Sequence, residues 1–143
     1  MNEYLHFIGN EWVTSASGQW FESENPYTGD KWARVSKGSS EEVDNAVAQA
    51  KTALDGEWGE YTPTERGKIL VKLSELIERE SEALGRIETK DNGKLFAEMS
   101  AQTKVMAEWY RYYGGLADKI EGSVLPATKK GIFNYTLSLI HIS

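Results

Sequence analysis

The chain has 143 residues, with 16 basic against 22 acidic side chains and a net charge of −6 when both histidines are neutral. A chain this long can bury roughly 68–70% of its unfolded surface as one domain, and its acidic balance argues against a phosphate-binding face and a nucleic-acid partner. Zero cysteines exclude a disulfide scaffold, a thiolate zinc site and a cysteine nucleophile in this chain; no apolar run nears the ~18 residues of a membrane span and no secretory pattern opens it, so a soluble cytoplasmic chain without a membrane partner is expected.

The first 36 residues read as short strands and turns. Leu5–Ile8 and Glu11–Val13 flank Gly9-Asn10, a pair that favours a two-residue hairpin. Gln19–Glu24 and Lys31–Val35 flank Asn25-Pro26-Tyr27-Thr28-Gly29-Asp30, where proline fixes φ and glycine supplies a positive one. Trp12, Trp20 and Trp32 fall on these strands and are expected to cover a helix or the opposite strand.

Helices follow. Ser39 with Glu42 forms a capping box, and Val43, Ala46, Val47, Ala50, Ala53 and Leu54 recur at helical spacing until Gly56. The alanines on that stripe predict close packing on a neighbour. Thr62-Pro63-Thr64-Glu65 gives a second start, with Ile69, Leu70, Leu73, Leu76 and Ile77 as its apolar face. Ser81 can recap the chain for a segment ending at Asn92-Gly93. A third helix, from about Leu95 to Leu116, is expected to bury Phe96, Met99, Val105, Met106 and Trp109 and to close at Gly114-Gly115.

After Gly122 the pattern turns extended. Val124-Leu125-Pro126 and Ile132–Thr136 flank a basic turn at Lys129-Lys130-Gly131, as in an antiparallel hairpin whose partner surface is missing. The elements do not close a layered architecture by themselves, and the chain reads as cut.

Standard catalytic arrangements are absent. No G-x-G-x-x-G or P-loop turn occurs, and His6 and His141 cannot assemble a serine triad. Glu41, Glu42, Glu57, Glu60, Glu65, Glu75, Glu78, Glu80, Glu82 and Glu88 read as helix-start or solvated residues. Two segments remain. Thr89-Lys90-Asp91-Asn92-Gly93-Lys94 is either a plain helix end or one whose Asp91 also ligands a cation or orders a neighbouring loop. Trp109–Gly115 is either core plus a helix stop or one wall of a hydrophobic cleft.

In order and spacing, these residues resemble the NAD(P)-dependent aldehyde dehydrogenases. The resemblance is carried by Phe7-Ile8-Gly9-Asn10-Glu11-Trp12, Asn25-Pro26-x-Thr28-Gly29, Glu42-Val43-Asp44-x-Ala46-Val47, Arg66-Gly67-x-Ile69-Leu70, Glu88-Thr89-x-Asp91-Asn92-Gly93-Lys94, Tyr112-Tyr113-Gly114-Gly115-x-Ala117-Asp118-Lys119 and Tyr135-Thr136. It implies an α/β fold of which this is the incomplete N-terminal part: short hairpins, three or so helices and a partial oligomerisation hairpin.

For the parent protein the resemblance implies oxidation of a small-molecule aldehyde to a carboxylic acid with NAD or NADP, through a cysteine thiolate and a glutamate-activated water, in a homo-oligomer. The cysteine, the general-base glutamate and the cofactor loop have no counterpart in this sequence, so the chain alone is expected to be inactive. Residues 1–122 would be part of the cofactor-binding domain with its covering hairpins, and residues 123–136 the start of the oligomerisation arm. Residues 137–143 read Leu-Ser-Leu-Ile-His-Ile-Ser, as does a translated library-transposon end, and are expected to be an adaptor-derived tail. By position, Ser23, Glu24 and Asp91 would hold a monovalent cation, and Val105, Met106 and Trp109 would lie at the substrate entrance. The alternative is a genuine short, non-catalytic module that pairs with full-length subunits.

Overall fold

A computed structural model of the chain describes residues 1–137. A three-stranded sheet opens the fold, in the order β1 (Asn2–Tyr4), β5 (Lys31–Ser36), β4 (Trp20–Glu24). β4 and β5 are antiparallel, as the turn between them predicts, with Trp20 opposite Ser36. β1 runs parallel to β5 with Tyr4 opposite Val35. It was not anticipated, because three residues are too few to show alternation. β2 (His6–Ile8) and β3 (Glu11–Val13) form the expected separate hairpin. Gly9 and Asn10 between them both have positive φ, 60° and 69°, as a type I′ turn requires.

Four long helices and one single turn follow: α1 (Ser40–Asp55), α2 (Glu57–Glu60), α3 (Pro63–Arg79), α4 (Ser81–Asn92) and α5 (Phe96–Leu116). Both expected capping boxes are formed, at Ser39 with Glu42 and at Thr62 with Glu65. Ser81 does not recap the chain. It lies inside α4, buried, and the N-cap position is Glu80 without a side-chain hydrogen bond. β6 (Val124–Leu125) and β7 (Asn134–Tyr135) pair antiparallel, exposed along both strands. The α/β architecture holds. Of the expected adaptor-derived tail, residues 138–143 lie outside the described residues.

The core is small side chains and backbone. α5 crosses α3 and α4, and glycines set the distance of both crossings. A Cβ on Gly67 would lie 2.5 Å from the Gly114 carbonyl oxygen, one on Gly114 would lie 2.9 Å from the Gly67 oxygen, and one on Gly85 would lie 2.8 Å from the Ser100 nitrogen. The α5 face so engaged is Met99, Thr103, Ala107 and Gly114, all buried. Gly114 and Gly115 therefore do not stop the helix; they are part of it. Among the described residues the buried apolar side chains are Ala33, Met99 and Ala107. The buried hydroxyls return to the backbone: Thr103 donates to the Met99 carbonyl at 2.9 Å and Ser74 to that of Val71 at 2.8 Å.

This packing keeps Leu70 and the half-buried Ile77 of the expected α3 face inward but departs from two expectations. On α3 the face against α5 is Gly67, Leu70, Val71 and Ser74, while Ile69, Leu73 and Leu76 are exposed. On α5, Val105, Met106 and Trp109 are exposed, Trp109 by 57%. The close crossing needs small residues at the contact, so it rotates the large apolar ones outward. α1 departs further. Among the described residues its stripe faces only an open groove, with the β2–β3 hairpin opposite Ala46, Ala50 and Ala53, and Val43, Val47 and Leu54 are exposed.

Candidate functional site

The Asn25–Asp30 turn and the end of α4 meet at one corner. Asn25 builds the turn: its side-chain oxygen accepts from the Tyr27 N–H at 3.0 Å and its carbonyl from the Gly29 N–H at 2.8 Å. Across from it, Gly93 ends α4 with φ 75° and its N–H bonded to the Thr89 carbonyl. A Cβ on Gly93 would sit 3.1 Å from Pro26, so turn and helix end fit closely.

Asp91 and Ser23 come together here. The Ser23 hydroxyl donates to Asp91 Oδ1 at 2.6 Å and accepts from Trp32 Nε1 at 3.0 Å. The register of β4 on β5 shifts between Ser23 and Glu24, the two residues whose carbonyls the resemblance nominates. The Glu24 side chain is exposed, and its residue stands opposite Lys31. Asp91 thus bonds a side chain of β4, a strand rather than the neighbouring loop its motif suggested. The serine hydroxyl between it and Trp32 had no sequence signal. Among the described residues no cluster of three or more histidine or acidic side chains could hold a metal by side chains alone. One Asp91 carboxylate oxygen, Oδ1, carries the Ser23 bond.

The three expected entrance residues separate. Val105 and Trp109 line an open groove of about 520 Å³ with Glu108, Tyr112 and Tyr113; Met106 is not part of its wall. Trp109 stacks on Tyr113 with centroids 6.3 Å apart, and Tyr112 meets Tyr113 edge-on at 5.3 Å. Arg111 bonds Glu78 of α3, at 2.8 Å, and Glu108; the two carboxylates hold its guanidinium above its ordinary pKa. The groove offers aromatic walls and one carboxylate and no nucleophile.

A further site residue hid among the acids. Glu42 is buried, 8% exposed, and closes a polar knot. It accepts from the N–H of Ala16 at 2.8 Å, the N–H of Ser39 at 2.7 Å and the Ser15 hydroxyl at 3.0 Å, while the Ser15 N–H donates to Ser36 Oγ at 2.8 Å. The backbone N–H groups of Ala16 and Ser39 lead in lowering its pKa from 4.5 to about 2. The capping box announced the Ser39 bond, but nothing near position 42 announced Ala16.

A dinucleotide's pyrophosphate is usually cradled by free N–H groups at a helix start behind a glycine-rich turn. Here Glu42 and Glu65 close the first turns of α1 and α3 with capping boxes. With these starts closed by carboxylates and no G-x-G-x-x-G turn in the sequence, these residues do not fit the group.

Residues 12–139 match the family model described as "Aldehyde dehydrogenase family". An aldehyde dehydrogenase of Enchytraeus buchholzi is 44% identical over 133 residues, 91% of this chain and 27% of that protein. A (Z)-2-((N-methylformamido)methylene)-5-hydroxybutyrolactone dehydrogenase of Acinetobacter baylyi is 41% identical over 130 residues, covering 90% and 26%. Among solved structures, the NAD+ complex of the Bacillus cereus aldehyde dehydrogenase superposes with a TM-score of 0.87 at 38% identity, over 94% of this chain and 28% of that one. The chain spans about a quarter of the length of the curated relatives it matches.

Proposed function

The chain belongs to the aldehyde dehydrogenase family, and from that premise we propose that it is the N-terminal segment of an NAD(P)-dependent oxidoreductase that converts an aldehyde to a carboxylic acid. The observation that carries the reading is the match along residues 12–139 together with the same backbone frame as the Bacillus cereus enzyme. NAD(P), when bound in such an enzyme, accepts the hydride. This segment supplies no group for that step, having no cysteine and no fitted dinucleotide site. Its work is structural. Residues 1–122 belong with the cofactor domain and its covering hairpins, and residues 123–136 begin an arm that pairs with another subunit. Val105, Met106 and Trp109 lie toward the substrate entrance.

The test is aldehyde-dependent NADH formation. The purified chain is expected to give none, and turnover by it would overturn the assignment of chemistry to the remainder. A fusion of this chain to the rest of the Bacillus cereus enzyme is expected to turn over; a folded, inert fusion would count against the enzymatic reading.

We further propose that the Ser23 and Glu24 carbonyls and the Asp91 carboxylate hold a monovalent cation. The Ser23–Asp91 bond supports this by joining strand and helix end. Thermal stability in potassium or sodium chloride is then expected to exceed that in choline chloride of equal ionic strength, and Asp91→Asn to remove the difference. Equal stability in all three salts would reject the site.

A further inference from the structure

Of the asparagines in the sequence, Asn92 alone is followed by glycine. That order matters chemically. A glycine has no side chain to obstruct its amide nitrogen, so the nitrogen can reach the side-chain carbonyl carbon of an asparagine just before it. Asn92 is exposed at the last position of α4, and Gly93 follows in the left-handed conformation with φ 75°.

Local hydrogen bonds pull in both directions. The Lys94 N–H donates to Asn92 Oδ1 at 2.9 Å, which draws electrons from the side-chain carbonyl and makes its carbon more open to attack. Asn92 Nδ2 donates only to Met99 Sδ, at 3.6 Å, and a thioether is a weak acceptor that does little to hold the amide. Against these, the Gly93 N–H is bonded to the Thr89 carbonyl at 3.0 Å, so the attacking nitrogen is tied into the last turn of α4. Ring closure requires that turn to open. What keeps it shut lies beside it: the Ser23–Asp91 bond at 2.6 Å, and Pro26, 3.1 Å from where a Cβ on Gly93 would be.

We propose that Asn92 is a site of spontaneous deamidation, and that the corner between the Asn25–Asp30 turn and the end of α4 sets its rate. The Gly93 nitrogen gives its proton to solvent base and bonds to Asn92 Cγ; the Cγ–Nδ2 bond breaks and Nδ2 leaves as ammonia. Water then opens the cyclic imide at either carbonyl, giving aspartate or isoaspartate with no change of oxidation state. Both products disturb the corner that delayed them. Each adds a carboxylate beside Asp91 at the C-terminal end of α4, where the helix dipole disfavours negative charge. Isoaspartate also lengthens the main chain by a methylene just before Gly93, which moves that residue off its seat against Pro26.

The test incubates the purified chain at mildly alkaline pH, in buffer and in urea, and follows every asparagine by peptide mass spectrometry, with enzymatic methylation counting isoaspartate. In urea, Asn92 is expected to convert first. In buffer it should convert at least roughly tenfold more slowly, the factor that corresponds to an opening cost of about 1.4 kcal/mol. Ser23→Ala removes the bond to Asp91; it should raise the rate in buffer severalfold and leave the rate in urea unchanged. Thr62→Ala weakens the start of α3, away from the corner, and should leave both rates unchanged. Another asparagine converting first in urea, or equal Asn92 rates in urea and buffer, would overturn the proposal. So would a Ser23→Ala chain that converts no faster in buffer, or a Thr62→Ala chain that gains as much as Ser23→Ala, since global unfolding would then set the rate.

Discussion

Helices α1 and α3 begin alike and end in different circumstances. They have 16 and 17 residues, and each starts with a hydroxyl N-cap and a glutamate three residues on that reaches back to the cap N–H. α3 then packs on α5 through Gly67 and Ser74, which are buried. α1 buries only Glu42, at its start. Start signals are local and act within one turn, whereas burial needs a surface that another part of the chain must provide. One helix is therefore held by its length and the other by its first turn.

Four measurements would break or sharpen this contrast. The largest effect is expected at the helix crossing. Gly67→Val places a branched side chain against the Gly114 carbonyl, where even a Cβ has 2.5 Å; it should cost at least about 1–3 kcal/mol and markedly lower the thermal midpoint. A midpoint within error of the parent would mean that α3 and α5 are not coupled as described.

Acid should act next, and on α1 first. Glu42 has a folded pKa of about 2 against an ordinary 4.5. Because the folded value is the lower one, its stabilisation is fully present above about 4.5 and is lost as pH falls toward 2. Protection factors of the α1 amides, taken against the intrinsic exchange rate at each pH, should fall as pH drops through that window, and Glu42→Gln should abolish most of that pH dependence. An unchanged profile in the variant would show that another group anchors α1.

The two caps offer a matched pair. Thr62→Ala should cost about 1 kcal/mol of global stability, since α3 belongs to the core. Ser39→Ala removes the same kind of cap, yet should speed exchange within α1 with a smaller shift of the global transition. Equal shifts would erase the distinction between the helices. The smallest effect is expected for Val47→Asp in the isolated chain, within about 0.5 kcal/mol, as for an exposed substitution. A larger loss would mean that the stripe is already covered.

What could be read in advance divides along the same line. The Gly9-Asn10 turn, both capping boxes and the left-handed Gly93 are short-range features whose residues carry their own mechanism, and each is present. Facing was harder to read. Val105 and Trp109 fit a helical stripe as well as Met99 does, but which stripe turns inward was decided by the glycines of α3 and α4, far away in sequence. Asp91 stood out through its motif, but its Ser23 partner lies 68 positions earlier. Glu42 looked like any acid at a helix start because the Ala16 N–H that buries it comes from a distant loop.

The reciprocal seat of Gly67 and Gly114 has a genetic consequence. Each glycine leaves the room that the other's carbonyl fills. Once a methyl at one position has pushed the helices apart, a methyl at the other meets an opened gap. The two alanine substitutions should therefore be strongly non-additive, the double variant losing less than the two single losses combined. A lineage that had lost one glycine would face relaxed selection on its counterpart, so the pair should be kept or abandoned together.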